Sequence, residues 1–467
     1  MDLQRAVSKL LSGRLLNAGL EFAAVAGFTQ LFGTSAVGSF FLFQTLIGLV
    51  GIPGDLGVSK AAEKTLSTGE PSGTVLASGI LLKILLLAPW IVLALVFRSV
   101  IDSYVGVQGV AILVIAGFVA NQFRRFLIRV LAGRMQIEKT AIIKVSGILV
   151  WVIISFLGIY LMRGSVSIIL GFVIGDVVII LASATRLDVE VGRPRVTRMK
   201  SLLTFGRNVS IGSVGGYVYS WMDVAILRLF VSPTIIGAYE IAWRVAALSM
   251  MVTNAIGESL FPKISKLHAE DKLEDISDIL YQWIQPPLFV TIPAFVGAVV
   301  LGNTVLTTLF SPQATIAYSV LLLFMAEKVF RSINMVWGSA LFAIDKAKFG
   351  YRGSVVAIAV NLVLNPLLIP VFGIQGAAAA TTLSAMASLV VNLRYLNQFI
   401  SITFPWHRIG WAFASSMVMG LVIFGLKGYL PPGLASLVVG VGAGIGIFLL
   451  LILTNGEIKA DLEAAIP

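Results

Sequence analysis

Runs of about twenty predominantly apolar residues follow one another along almost the whole chain, from 13–32 to 432–454, separated by short polar turns. A helix of that length crosses roughly 30 Å of hydrocarbon, and in that solvent only helices and closed barrels satisfy every backbone polar group. Unbroken apolar runs, rather than strict alternation, select the helix. The expected fold is an all-α polytopic membrane protein with about fourteen transmembrane helices. Charge content agrees, at 12% of the 467 residues against roughly 25% in soluble domains, with a mean hydropathy of +0.96. There is no cysteine, and the two histidines, His268 and His407, stand among polar residues. Thiolate and histidine-rich metal or catalytic centres are therefore not expected. The opening MDLQRAVSKLLS is basic and amphipathic without a small-residue cleavage site, as in a retained cytoplasmic start.

Loop charge sets the orientation. One alternating set of loops holds Arg124, Arg125, Arg129, Arg134 and Lys139, then Arg186, Arg193, Arg195, Arg198 and Lys200, then Lys346, Lys348 and Arg352. The other set holds little beyond Arg98, Arg163 and Lys427. The basic side is expected in the cytoplasm, with both termini there. A net charge of +11 then reflects topology and attraction to anionic membrane lipids and calls for no nucleic acid.

The text also repeats. LFGTSAVGSF (31–40) returns as LFVSPTIIGAY (229–239), each preceded by a span that opens on Gly-Arg, Gly13-Arg14 and Gly206-Arg207. IEK (137–139) returns as IDK (344–346). Corresponding positions lie roughly two hundred residues apart, the length of six spans. Two pseudo-symmetric six-helix lobes are expected, 1–190 and 191–400, with an appended pair of helices in 401–467.

The stretch MDVAILRLFVSPTIIGAYEIAWR (222–244), then ESLFPKISKL (258–267) and LNPLLIPVFGIQGAAAATTLS (364–384), resemble the polysaccharide transporter branch of the multidrug/oligosaccharidyl-lipid/polysaccharide exporter superfamily. That branch includes O-antigen flippases of the Wzx type and is related to the lipid II flippases. The resemblance covers nearly the whole chain. It implies two six-helix bundles around a central cavity and export of lipid-linked sugars by alternating access, with glycan-assembly enzymes as further partners.

Charges inside spans mark where such a substrate would be handled, because each unpaired one costs roughly 2.5–3.5 kcal/mol in hydrocarbon. In a hairpin turning near Ser232 and Pro233, Asp223 and Arg244 lie roughly 15 Å deep on opposite helices, at 1.5 Å per residue. Arg228 and Glu240 face each other nearer the turn, and Glu240 and Arg244 are four apart on one face, so the four residues can form a ladder. The ladder either lines a cavity or pins the helices, with snorkelling open to Arg228 and Glu240. A second set joins Glu21 and Lys83 at similar depth, with Arg14 on roughly the Glu21 face. Arg14 can snorkel to the headgroups; Lys83 lies too deep for that. For a polyprenyl diphosphate sugar, Arg14, Lys83, Arg244 and then Arg228 are the expected substrate-binding cations. Glu21, Asp223 and Glu240 would pair with them or carry a coupling proton or sodium ion. Asn361 and Asn365, four apart, offer neutral oxygen ligands or interhelical hydrogen bonds.

GIPGDLGVSKAAEK (51–64) reads as a hinge or as a plain helix end, and KLEDISDILYQWI (272–284) as an amphipathic helix on the cytoplasmic surface. GIQGAAAA (373–380) lacks the Lys-Ser/Thr ending of a phosphate loop and reads as close helix packing. No Walker motif or nucleophile elbow is present, and the chain is expected not to be an enzyme. A flippase for a lipid-linked oligosaccharide in the cytoplasmic (plasma) membrane of a prokaryote is the leading function. The alternatives are a proton- or sodium-coupled exporter of small organic cations and, from another class, a membrane glycosyltransferase or polymerase.

Overall fold

The computed structural model describes the backbone of residues 3–158, 164–187, 191–429 and 433–459, and the side chains of these except 3–15, 137, 209, 211–220 and 258. All regular structure among them is helical. The first half comprises α1 (Leu3–Asp55), α2 (Val58–Ser67), α3 (Ser72–Val96), α4 (Arg98–Val105), α5 (Ala111–Gly133), α6 (Ile137–Leu157), α7 (Gly164–Arg186) and α8 (Val196–Leu227). The second comprises α9 (Pro233–Leu248), α10 (Met251–Ala269), α11 (Leu273–Trp283), α12 (Gln285–Val305), α13 (Tyr318–Ala343), α14 (Ala347–Leu396), α15 (Trp406–Lys427) and α16 (Leu434–Ile452).

Among the described residues nine helices are long and apolar enough to cross a membrane, or up to ten if the bent pair α9 and α10 is one span. Two of them are double. α1 breaks at Gly33 (φ 83°, ψ 164°), and Phe28 and Phe40, on either side, both pack on Trp151 at 5.2 Å between ring centroids. α14 breaks at Gly373 (φ 56°, ψ −130°), where a Cβ on Gly376 would lie 2.3 Å from the Leu368 carbonyl oxygen. Each is therefore a hairpin of two spans, with glycine supplying the positive φ at the turn. The expected fourteen also requires α8 and α13 to cross. α13 is less apolar because Glu327, Lys328 and Arg331 interrupt it.

The chain divides into two compact units, Met1–Gly237 and Ala238–Pro467. In the first, Ala61, Val75, Phe126, Leu131, Ile179 and Leu202 bring α2, α3, α5, α7 and α8 into one core. α8 is tied in at its start: Gly192 N–H donates to Gly73 O (3.1 Å), Arg195 N–H to Ser78 Oγ (3.1 Å), and Arg198 pairs with Glu70 at 2.5 Å. In the second unit, Leu260, Ile276, Leu288, Trp337 and Leu396 join α10 to α14, while Val296, Met419 and Phe448 join α12, α15 and α16. α11 is amphipathic as expected: Ile276, Ile279 and Leu280 are buried and Glu274, Asp275 and Asp278 exposed.

One turn geometry recurs along the chain, as at Asp271 (φ 60°), where Lys272 N–H donates to Leu267 O at 3.0 Å. Met135 (φ 58°) follows α5 and Asp345 (φ 59°) follows α13. The next amide closes the same loop in each, Gln136 N–H to Leu131 O at 3.0 Å and Lys346 N–H to Leu341 O at 2.9 Å. The two turns correspond, but not in the register of the IEK and IDK matches. Glu138, which the text aligns with Asp345, lies three positions beyond Met135.

Candidate functional site

In the first unit the break after α1 carries two successive residues at positive φ, Leu56 (41°) and Gly57 (73°). It leaves Asp55 facing α3. Lys83 is fully buried there and pairs with the Asp55 carboxylate. It also donates to Gln122 Oε1 (2.7 Å), whose amide in turn donates to Gly51 O (3.0 Å), and Ser59 Oγ donates to Asp55 Oδ1 (2.5 Å). A buried cation whose charge and donors are met in this way pins α1, α3 and α5 together. Its partner is Asp55 and not Glu21, as sequence depth had suggested; Glu21 is exposed on α1. Counting residues along helices fixes depth but not azimuth, and Asp55 is brought to Lys83 by the chain break. Arg14 lies outside the residues whose side chains are described.

A second buried pair, missed by the sequence reading, joins α5 to α7. Arg124 Nε lies 2.8 Å from Asp176 Oδ1, and Asn121 Nδ2 is 3.5 Å from Asp176 Oδ2. A lone aspartate inside the 165–184 span was the available signal.

Asp223 is buried on α8. Arg228, at the end of the same helix, donates to Tyr104 O (2.6 Å), Ser103 O (2.9 Å) and Val231 O (3.3 Å). Two of these are last-turn carbonyls of α4, where the helix dipole favours a cation. Burial pushes the neighbouring Tyr104 phenol up to about 12 against the opposing pull of Arg228, so it stays neutral beside the guanidinium. In the second unit Glu240 and Arg244 on α9 form the expected rung, at 4.0 Å.

α13 holds a charged cluster that was also missed, although EKVFR sits plainly inside its span. Glu327 Oε2 is 2.5 Å from Lys328 Nζ, and Glu327 Oε1 is 3.4 Å from Arg331 Nη1. On α14, Asn365 Nδ2 donates to Asn361 Oδ1 (3.0 Å) and Asn361 Nδ2 to Thr381 Oγ1 (3.3 Å), all three buried. The second of these bonds runs across the Gly373 hairpin, so packing is one role of the two asparagines.

The second unit holds an apolar cavity of about 1200 Å³, lined among others by Val245, Phe289, Pro293, Met419, Gly440 and Phe448. α15 and α16, the appended pair, supply part of its wall. Polar groups are few, among them Ser249, Gln282 and Gln285. Gln285 Oε1 accepts from Arg408 Nη1 at 3.2 Å. Apolar walls with sparse polar groups suit a long hydrocarbon chain.

The family described as polysaccharide biosynthesis protein matches residues 31–316. Over 427 residues the chain is 34% identical to the probable low-salt glycan biosynthesis flippase Agl15 of Haloferax volcanii, covering 91% of this chain and 90% of that one. It is 28% identical over 407 residues to the probable flippase AglR of the same organism, covering 86% and 85%. The solved lipid II flippase MurJ, in an inward closed conformation, matches with a TM-score of 0.80 at 16% identity, covering 95% of this chain and 98% of that one. The fold is shared with it.

Proposed function

The chain belongs to the polysaccharide biosynthesis protein family, and from that membership we propose that it is a flippase for a lipid-linked oligosaccharide. It carries sugars on a polyprenyl (di)phosphate across the cytoplasmic membrane of a prokaryote for surface polysaccharide or glycoprotein assembly. The observation that carries the reading is the apolar cavity of about 1200 Å³ in the second unit. A space of that size and character fits a polyprenyl chain and exceeds the need of a small organic cation. Likeness to flippases over nine-tenths of the chain supports the same substrate class.

In this reading the lobes 1–190 and 191–400 alternate access, both termini are cytoplasmic, and anionic lipids and glycan-assembly enzymes are the neighbours. Arg244, with Arg14 and Arg228, compensates headgroup charge that would otherwise cost several kcal/mol or more to bury. Lys83 enters only if its pair with Asp55 opens. Coupling falls to a proton or sodium ion, with Asp223, Glu240 and the Asn361 and Asn365 amide oxygens as its candidate holders. The protein is a transporter rather than an enzyme.

The test is a proteoliposome assay. A lipid-linked oligosaccharide placed in the inner leaflet should become accessible to an external glycosidase at a rate that depends on the protein. Transport of a lipophilic cation with no movement of the glycolipid would favour the organic-cation exporter and reject the proposal.

A further inference from the structure

The structure places a cation at the centre of α13, one of the two helices that the fourteen-span fold requires to cross, and neither the family match nor the sequence reading assigns it. α13 runs from Tyr318 to Ala343, which puts Arg331 about 20 Å from either end at 1.5 Å per residue. No arginine reaches a headgroup layer from there. Yet the Arg331 side chain is 51% exposed, while Glu327 and Lys328 behind it are 0% and 4% exposed. A half-exposed guanidinium at that depth belongs against water or an anionic ligand, since against hydrocarbon it is costly. Glu327, Lys328 and Arg331 together carry one net positive charge.

The neighbouring helix offers an aromatic face. Tyr239 packs on Phe324 with ring centroids 5.1 Å apart, and Lys328 Nζ lies 5.5 Å from the Trp243 ring centroid. The two pairs step by four residues on each helix, so α9 and α13 run side by side in the same direction. Trp243 is 41% exposed, and Arg244 follows it directly. An exposed indole that lies beside Lys328 and precedes Arg244, with Arg331 about one helical turn on from Lys328, combines a planar apolar surface with forked donors that match phosphate oxygens.

We propose that Arg331 and Trp243 form a binding site for a phosphosugar headgroup at the membrane midpoint, Arg331 holding the phosphate and Trp243 stacking on the first sugar. Glu327, fixed by Lys328, positions the guanidinium. The inference rests on the flippase reading and deepens it.

The experiment measures binding to the full-length protein in lipid nanodiscs with three probes: farnesyl diphosphate carrying a disaccharide, farnesyl diphosphate alone, and inorganic pyrophosphate. R331Q should weaken both farnesyl ligands about tenfold or more, the loss of a charge-assisted bond, with R331K between it and the wild type. W243F should lower the affinity for the disaccharide ligand toward that for farnesyl diphosphate and leave the latter unchanged. Arg331→Cys gives an independent reading in a chain with no cysteine of its own. A positively charged thiosulfonate reagent should restore affinity and a neutral one of similar size should not. Wild-type binding unaffected by R331Q, or equal rescue by both reagents, would overturn the inference alone. No binding of either farnesyl ligand by the wild type would overturn the flippase reading with it. Inorganic pyrophosphate competing at the concentration of the lipid-linked probe would overturn the lipid-linked ligand.

Discussion

Gly38 and Gly237 approach each other so closely that neither position has room for a side chain. A Cβ on Gly38 would lie 1.8 Å from Pro233 O and 3.0 Å from Gly237 N, and a Cβ on Gly237 would lie 2.2 Å from Thr34 O and 3.1 Å from Gly38 N. The relationship is reciprocal, and the two glycines occupy corresponding places in LFGTSAVGSF and LFVSPTIIGAY. The repeated segments therefore meet at their repeated glycine. Both glycines belong to the first unit, so the contact fastens the start of α9 to the part of α1 beyond Gly33.

Gly38→Ala should consequently loosen that contact. Overpacking costs about 1–3 kcal/mol, so the population in which α1 and α9 have parted here should rise roughly five- to a hundredfold at about 1.4 kcal/mol per decade. Ser39→Cys in the cysteine-free chain supplies the readout, through labelling by an impermeant maleimide. An unchanged labelling rate in the Gly38→Ala background would show that the glycine contact does not hold the two helices together.

Lys83 and Asp55 should behave as a structural pair. Removing either alone leaves a buried charge uncompensated, a loss of about 3–5 kcal/mol, visible as a fall in melting temperature of the purified protein. The double change Lys83→Met with Asp55→Leu should cost much less than the sum. Glu21→Gln should not alter the effect of Lys83→Met. Additive losses for Lys83 and Asp55, or coupling to Glu21, would restore the pairing that depth-matching suggested.

What the sequence made legible and what it did not divide along a physical line. Apolar runs announce helices because hydrocarbon leaves the backbone few other choices, and Gly33 and Gly373 stand at breaks between such runs. The partner of a buried charge is another matter. Asp55 is twenty-eight positions from Lys83 and meets it only through the positive-φ turn at Leu56 and Gly57. Asp176 and Arg124 depend on how α5 and α7 rotate about their axes, which linear spacing leaves open. Arg331 was visible as a charge in a span, but its exposure relative to Glu327 and Lys328 is a property of packing.

Arg228 should act as a clasp on α4. Its bonds to Ser103 O and Tyr104 O are charge-assisted, a type worth about 1.5–3 kcal/mol when buried and less for the exposed bond to Ser103. Arg228→Ala should raise amide hydrogen exchange in 98–107 by at least tenfold while leaving exchange in the α5–α7 core unchanged. Equal exchange in variant and wild type would show that the clasp contributes no local stability.

Gly297 gives the strictest test of the cavity. It lines the apolar space, and a Cβ built on it meets nothing within 4 Å, so a larger side chain can enter without displacing a neighbour. Gly297→Leu should keep or raise the melting temperature, because glycine within a helix is about 0.5–1 kcal/mol less favourable than alanine and added apolar contact is favourable. The same change takes up room that a polyprenyl chain would occupy. Flipping of a long-chain lipid-linked oligosaccharide should fall severalfold or more, while a substrate with the same headgroup on a three-isoprene chain should be affected much less. A stable Gly297→Leu protein that moves both substrates at the wild-type rate would show that the cavity does not hold the lipid. Equal loss for both substrates would place the defect outside tail binding and would count against that assignment as well.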